Sequence, residues 1–148
     1  MLESEVFDKY YNLALRFLSF RPRSEKEVLN YLRQKNKKTK GKLSEKTIAQ
    51  IMARLTELNF IDDLGFAKWW IENRKKGFRL LKLELLQKGI SKETIEEASS
   101  TFDIVGKENR LLEKLIDKKK NLPYEKMVAY LLRRGFDYEK IKKTLKDS

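Results

Sequence analysis

The sequence repeats its own plan in two ten-residue stretches, which read Leu86-Gln87-Lys88-Gly89-Ile90-Ser91-Lys92-Glu93-Thr94-Ile95 and Leu132-Arg133-Arg134-Gly135-Phe136-Asp137-Tyr138-Glu139-Lys140-Ile141. Each stretch ends a helix at a glycine, adds one apolar residue, supplies an N-cap and starts a helix whose fourth residue past the cap is isoleucine. Because all of these signals recur at the same spacing, we interpret them as an internal repeat and not as a chance likeness of two amphipathic helices.

An earlier segment follows the same plan, from Tyr31 to Ile48. There the glycine is replaced by the run Lys35–Lys42, which we interpret as a polar basic loop without periodicity. Each copy is preceded by another helix, so the repeating unit is three helices with a period of about 45 to 55 residues. The predicted units are residues 1–60, 61–103 and 104–148 of one continuous repeat domain.

The composition favours helices. The chain of 148 residues is 41% hydrophobic and 38% charged, with only two prolines and six glycines. An all-β fold needs many more Gly- and Pro-marked turns, whereas amphipathic helices need a large solvated face. We therefore predict an all-α fold. Because a three-helix unit buries only a thin core, we expect the units to stack into an elongated array that is free to curve.

Several local patterns predict structure. A proline at 22 ends the first helix, and Ser24 with Glu27 forms a capping box that opens the second. The adjacent Asp62 and Asp63 are read as a helix cap and not as an acid–base or metal pair. Tyr10, Tyr11, Phe20 and Trp70 are interpreted as core residues from their positions on the helices. Trp69 is expected to be buried against the neighbouring unit; the alternative is a half-exposed ring that stacks on a base or docks on protein.

The formal net charge of +12 predicts a polyanionic partner. Nucleic acid is the leading candidate, followed by an anionic membrane or an acidic protein surface; a general bias toward solubility is the alternative. The sequence has no histidine and no cysteine, and it carries neither a phosphate-binding glycine loop nor a nucleophile elbow. We therefore predict a protein that is not an enzyme and needs no cofactor or metal. The acidic start and the lack of a long apolar run predict a cytoplasmic protein that does not enter membranes.

A series of short motifs runs along nearly the entire chain in a specific order. The motifs are Ala14-Leu15-x-x-Leu18, Arg21-x-Arg23-Ser24-Glu25-x-Glu27, Leu58-Asn59-Phe60-Ile61-Asp62-Asp63-x-x-Phe66-Ala67, Arg74, Lys76-Gly77, Leu81-x-x-Glu84-Leu85-x-x-Lys88-Gly89-Ile90 and Leu132-x-Arg134-Gly135-Phe136. Together they resemble the RecX family. One departure is Asn59, which stands where a glycine is usual and can also adopt the left-handed conformation.

The resemblance implies a regulator that lies along the RecA filament on single-stranded DNA. It would inhibit the ATPase, strand-exchange and co-protease activities of RecA, and so modulate homologous recombination, DNA repair and the SOS response. The implied partners are the RecA filament and, weakly and without sequence preference, single-stranded DNA; the expected state is a monomer. The family-motif positions expected to be structural are Arg21, Arg23, Ser24, Glu27, Asp62, Asp63, Phe66, Ala67, Gly77, Gly89 and Gly135.

Basic clusters supply the candidate contacts with the filament or DNA, because lysine and arginine bind phosphate without reading sequence. They lie in the predicted basic loop, around the glycine at 77, and in the third unit. The candidates are Lys35, Lys37, Lys38, Lys40, Lys42, Arg74, Lys75, Lys76, Arg79, Lys82, Arg133, Arg134, Lys140, Lys142 and Lys143.

Two other functions remain open at this level. Residues 44–60 could serve as the recognition helix of a helix-turn-helix transcriptional regulator, which predicts a dimer and sequence-specific binding to duplex DNA. The second alternative is an adaptor repeat protein with no nucleic acid nearby, for which the basic clusters would be dispensable.

Overall fold

The computed structural model describes residues 2–39 and 42–146, and within those ranges it contains nine helices and no strand. This confirms the predicted all-α fold. The helices are α1 Glu3–Phe20, α2 Glu25–Lys38, α3 Glu45–Glu57, α4 Asp63–Asn73, α5 Phe78–Gln87, α6 Lys92–Ser99, α7 Ile104–Lys118, α8 Tyr124–Arg133 and α9 Tyr138–Lys146.

The chain divides into two compact units. The first runs to Phe66 and takes in Lys88–Ile90; the second holds Ala67–Gln87 and continues from Ser91. These two units are defined by compactness and do not test the sequence repeat. The division into three repeats, with boundaries after residues 60 and 103, therefore remains a prediction.

The first unit is a bundle in which α1, α2 and α3 pack against one another. Short helices such as these are unstable alone and depend on the shared core. The core side chains of the helices follow a three- and four-residue spacing and are Val6, Tyr10, Ala14, Val28, Leu32, Ile48, Ile51, Met52 and Leu55. Leu43 and Ile61, which lie between helices, complete this core.

The predicted capping box at the start of α2 is present and anchors a buried polar cluster. The Ser24 hydroxyl accepts the Glu27 backbone N–H at 3.2 Å, and the Glu27 carboxylate accepts the Ser24 N–H at 3.1 Å. The same carboxylate accepts hydrogen bonds from Arg21 at 2.5 Å and Lys88 at 3.2 Å. The Ser24 hydroxyl also donates to the Lys88 carbonyl at 2.7 Å, so one serine and one glutamate join two segments that lie 64 residues apart.

Glu27 stays ionised because of these donors. Its side chain is only 13% exposed, and this burial alone would raise its pKa. The hydrogen bonds from Arg21, the Ser24 backbone and Lys88 outweigh burial, so the pKa of Glu27 lies below its ordinary value of 4.5. Burial and the neighbouring Arg21 charge lower the pKa of Arg23.

The prediction that residues 35–42 form a loop is wrong at its start, because α2 continues to Lys38. Lysine is a good helix former, and cations in the last turn interact favourably with the helix dipole. Asn36 holds the turn that follows: its side chain donates to the Leu43 carbonyl at 2.7 Å and accepts the Leu43 N–H at 2.9 Å. Lys40 lies outside the described residues.

The assignment of Phe20 to the core is also wrong, since this side chain is 72% exposed. Phe20 is the last residue of α1 and lies six positions after the buried Ala14, so its side chain points about 120° away from that of Ala14 around the helix axis. Tyr10 is buried as predicted, and Tyr11 is half-buried against the core.

In the second unit, α5 packs on α6, and α8 packs on both α7 and α9. Helix α4 ends at Asn73. The core beneath α7, α8 and α9 consists of Leu112, Leu115, Met127, Leu131, Phe136 and Ile141. Trp70 is buried and donates from Nε1 to Glu84 at 3.1 Å, while Trp69 is half-buried.

Two glycines let two backbone segments of the second unit touch. The Gly77 N–H donates to the Arg134 carbonyl at 2.7 Å. A Cβ on Gly77 would collide with the Gly135 carbonyl, and a Cβ on Gly135 would collide with the Leu80 Cβ. Gly135 also has φ +94°, a conformation that side chains disfavour, so both space and backbone geometry require glycine there.

Among residues 2–39 and 42–146, no helix combines the length and the apolar character that crossing a bilayer requires.

Gly135→Ala should destabilise the second unit by about 3 kcal/mol, because it adds both left-handed backbone strain and a collision with Leu80. Urea unfolding measures the loss. The matched control is Gly65→Ala, whose new Cβ meets only side-chain atoms of Asp62, so we expect a change within about 1 kcal/mol. Equal losses in the two variants would contradict the assigned role of Gly135.

Glu27→Gln should destabilise the protein by roughly 2 kcal/mol at neutral pH, because four hydrogen bonds to a charged acceptor are weakened. The folded-state pKa of Glu27 is depressed, so its contribution is present above pH 4.5 and is lost as the pH falls through the folded-state pKa. Thermal unfolding from neutral pH downward should therefore show the wild-type advantage shrinking in acid. Glu97→Gln, at an exposed position, should show no such pH-dependent difference.

Candidate anion-binding site

Basic side chains of the second unit meet around one concave surface, which we call the basic cavity. Its volume is about 440 Å³, and it lies between the end of α4, the start of α5, helix α7 and the end of α8. The residues that line it are Ile71, Glu72, Arg74, Lys75, Lys76, Phe78, Leu81, Ile104, Lys107, Glu108, Arg110, Leu111, Lys114, Leu115, Lys118, Tyr130 and Arg134.

Three hydrogen bonds fix the walls of the basic cavity around the segment 75–78. Arg134 donates from Nη2 to the Lys75 carbonyl at 2.7 Å, and its own carbonyl accepts the Gly77 N–H. The Phe78 N–H at the start of α5 donates to the Glu108 carboxylate of α7 at 2.9 Å. An acidic acceptor at a helix N-terminus is electrostatically favourable, so Glu108 acts as a cap from a neighbouring helix.

The charge of the lining is strongly positive. Eight lysine or arginine side chains line the basic cavity, against two carboxylates, Glu72 and Glu108. Glu108 is already used, because it pairs with Lys140 at 3.4 Å, and Lys76 pairs with Glu84 at 2.5 Å. In the described part of the chain, the other seven cations form no ion pair. They are Arg74, Lys75, Lys107, Arg110, Lys114, Lys118 and Arg134.

Half of the eight cations come from α7 and were missed by the sequence analysis. Lys107, Arg110, Lys114 and Lys118 recur at intervals of three, four and four residues, which places them along one side of the helix. That interval was readable in the sequence. The buried Leu112 and Leu115 of the same helix recur at the same kind of spacing, so the cations carry no signal of their own beyond an amphipathic helix.

The basic cavity also has an apolar wall. It includes the half-buried rings of Phe78 and Tyr130 and the aliphatic side chains of Ile71, Leu81, Ile104, Leu111 and Leu115. The Arg74 guanidinium lies 4.0 Å from the centre of the Trp70 ring, so a change at Arg74 would be sensed by this tryptophan. Arg134 Nε is buried without a hydrogen-bond partner.

Of the fifteen predicted contact residues, Arg74, Lys75, Lys76 and Arg134 line the basic cavity. Arg79, Lys82, Arg133 and Lys142 are exposed but do not line it. Lys140 and Lys143 line a separate cleft with Val105, Asn109 and Glu113. The remaining described candidates belong to the first unit, where Lys37, Lys38 and Lys42 are exposed and Lys35 is half-buried.

The family-motif residues lie at helix junctions. Asp62 accepts the Gly65 N–H at 3.1 Å, and Asp63 accepts the Glu25 N–H at 2.9 Å. The Arg23 guanidinium lies 3.9 Å from the centre of the Phe17 ring, and the Arg21 guanidinium lies 6.0 Å from that of Phe66. Asn59 and Gly89 adopt positive φ values of 62° and 85°, and Phe66 and Ala67 are buried. The described residues contain no cluster of acidic, histidine or cysteine side chains that could hold a metal.

Comparison with known families gives two matches in order along the chain. Residues 11–37 match the first three-helix domain of RecX, and residues 62–98 match the second three-helix domain of RecX.

Curated relatives extend the similarity beyond these domains. A regulatory protein RecX of Streptococcus pyogenes serotype M2 is 38% identical over 143 residues, covering 90% of this chain and 53% of the relative. A regulatory protein RecX of Streptococcus gordonii is 36% identical over 140 residues, covering 88% of this chain and 52% of the relative. The chain therefore spans about half the length of the curated relatives it matches.

Solved structures agree over a similar extent. A crystal structure of RecX from Lactobacillus salivarius is similar with a TM-score of 0.73 and 29% identity, covering 97% of each chain. A second crystal structure, of a regulatory protein RecX, has a TM-score of 0.71 and 25% identity, covering 93% of this chain and 73% of the other. With two RecX domains in sequence order, and relatives and structures that match along most of its length, the chain belongs to the RecX family.

Proposed function

We propose that this chain is a non-enzymatic regulator that binds the RecA filament on single-stranded DNA and inhibits its ATPase, strand-exchange and co-protease activities. Membership in a family of regulatory proteins supports the general role. The observation that carries the proposal is the basic cavity, because seven of its cations form no ion pair in the described residues.

A surface with this charge excess favours a partner that is itself a dense polyanion. Exposed lysines gain little from isolated surface carboxylates, since water and salt screen each pair. A filament that presents DNA phosphates beside acidic protein groups would engage several cations at once and release their counterions. Binding should therefore be sequence-blind and should weaken steeply as the salt concentration rises.

The helix-turn-helix alternative has weaker support from the surface of α3. The side of this helix that faces solvent carries two cations, Lys46 and Arg54, and two carboxylates, Glu45 and Glu57. A recognition helix that enters the major groove needs a net positive approach to the phosphates. The exposed side of α3 is neutral, so we favour the filament as the partner.

Titration of the protein into a RecA reaction that hydrolyses ATP on single-stranded DNA tests the proposal. We expect inhibition at amounts well below those that cover the DNA, because the filament is the target. The control incubates the DNA alone with the same amount of protein before RecA is added. Inhibition that begins only when the DNA is saturated, or no inhibition, would favour DNA binding without action on the filament.

The triple variant Lys75→Glu, Lys107→Glu and Lys118→Glu should require at least about tenfold more protein for half-inhibition, because three cations that line the basic cavity are reversed. The matched control reverses Lys46, Lys92 and Lys126, which are exposed and lie outside the basic cavity. Both variants change the net charge equally. If they lost inhibition equally, the total charge and not this surface would carry the effect.

A further inference from the structure

The basic cavity combines a row of cations with an apolar wall, and this combination suits one kind of ligand. We propose that the basic cavity binds a nucleotide, with its phosphates on the cations of α7 and its base against the apolar wall. The basic cavity is also the surface that supports the proposed filament contact, and its binding of a nucleotide can be tested without RecA.

The cations are arranged to bind a chain of linked phosphates. Lys107 and Lys118, the two ends of the row on α7, are eleven residue steps apart, about 16 Å at 1.5 Å per step. Arg74 and Lys75 approach the same space from the end of α4. A single carboxylate would neutralise only one of these side chains. A linked series of phosphates brings several charges within reach of neighbouring cations, and lysine and arginine are the side chains that bind them.

The apolar wall indicates that the ligand also has an apolar part. An inorganic phosphate held on α7 would leave Phe78, Leu111 and Tyr130 in contact with water. A volume of about 440 Å³ falls within the range of roughly 300–1,000 Å³ that is typical of small-molecule sites. A base and its sugar would cover this wall and could stack on an aromatic ring, which contributes about 1–3 kcal/mol per base in single-strand binding proteins.

The basic cavity has too few carboxylates to neutralise its cations, so an added anion can bind there. Its carboxylate Glu108 is held by the Phe78 N–H and by Lys140, so it is not available to neutralise the row on α7. Glu72, the other carboxylate, is exposed and forms no ion pair among the described residues. The cations therefore face the cavity with their charge uncompensated.

The nucleotide could be a free nucleoside triphosphate or one nucleotide of a single strand, and two matched pairs of probes separate these sources. The first pair is adenosine triphosphate and inorganic tripolyphosphate. The second pair is an oligothymidylate and an abasic oligonucleotide of the same length. Within each pair, the phosphates are retained and the base is removed, so the difference in affinity measures the apolar wall.

Calorimetry and tryptophan fluorescence give independent readouts. We expect the probe with the base to bind at least about tenfold more tightly than its partner in one or both pairs, a difference of about 1.4 kcal/mol. Fluorescence should change with the same midpoint, because Arg74 lines the basic cavity and lies against Trp70. The pair that shows the difference identifies the source of the ligand.

The double variant Arg110→Glu and Lys114→Glu should weaken the tighter probe by at least about tenfold, because both side chains line the basic cavity. Both residues are exposed, so the fold should tolerate the change. The matched control reverses Lys92 and Lys126 and should change affinity by less than about threefold. Leu111→Asn should reduce the advantage of the base while leaving the affinity for tripolyphosphate within about threefold. Circular dichroism confirms that each variant is folded.

Three outcomes would overturn the proposal: equal affinity within both pairs, equal loss in the Arg110–Lys114 and Lys92–Lys126 variants, or equal binding of a glutamate-rich peptide of matched charge. The last outcome would identify an acidic protein segment as the ligand. None of these assays contains RecA. Failure here would therefore leave the ATPase experiment unaffected, and failure of filament inhibition would leave nucleotide binding intact.

Discussion

The second unit depends on a direct contact between two backbone segments, Gly77 and the Arg134–Gly135 turn. The Gly77 N–H reaches the Arg134 carbonyl at 2.7 Å, and a side chain on either glycine would collide with the other segment or with Leu80. No change of side-chain rotamer could relieve such a collision, because the atoms that would be met are backbone atoms of Gly135 or the Leu80 Cβ, whose position the main chain fixes. The absence of a Cβ at two positions therefore brings the end of α4, the start of α5 and the end of α8 together.

This contact also determines where the positive charge accumulates. It places Arg134 beside the Lys75 carbonyl, and the Phe78 N–H meets Glu108 of α7 next to it. The cations of α4, α7 and α8 are thereby gathered around one volume, although 60 residues separate Arg74 from Arg134 in the sequence. Gathering like charges costs free energy, which solvent and salt reduce but do not abolish. A bound polyanion would remove that cost, and this is the physical link between the fold and the proposed functions.

The sequence was sufficient to predict the features that depend on neighbours in the chain. The all-α fold, the Ser24–Glu27 capping box and the left-handed Asn59 and Gly89 all follow from local patterns, and the structure contains them. The errors arose where a pattern had two interpretations. The lysines after Tyr31 are compatible with a solvated loop or with a helix C-terminus, and in the structure α2 extends to Lys38 before the turn that Asn36 holds. Phe20 was misassigned because its residue type was weighed above its angular position on α1.

The candidate site was less predictable, because two glycines with the same sequence pattern have different neighbours in the folded chain. Gly89 and Gly135 occupy the same place in the repeat and share a positive φ, yet their surroundings differ. An added Cβ on Gly89 would meet the Lys26 side chain, whereas one on Gly135 would collide with the Leu80 Cβ and lie 3.1 Å from the Gly77 carbonyl oxygen. Only the second glycine adjoins the basic cavity, because it follows Arg134, which lines it. The cations of α7 carry no special motif, and they acquire a common environment only when the second unit is folded. The repeat therefore predicts where helices end, while the position of the basic cavity follows from the one repeat boundary at which two backbones meet.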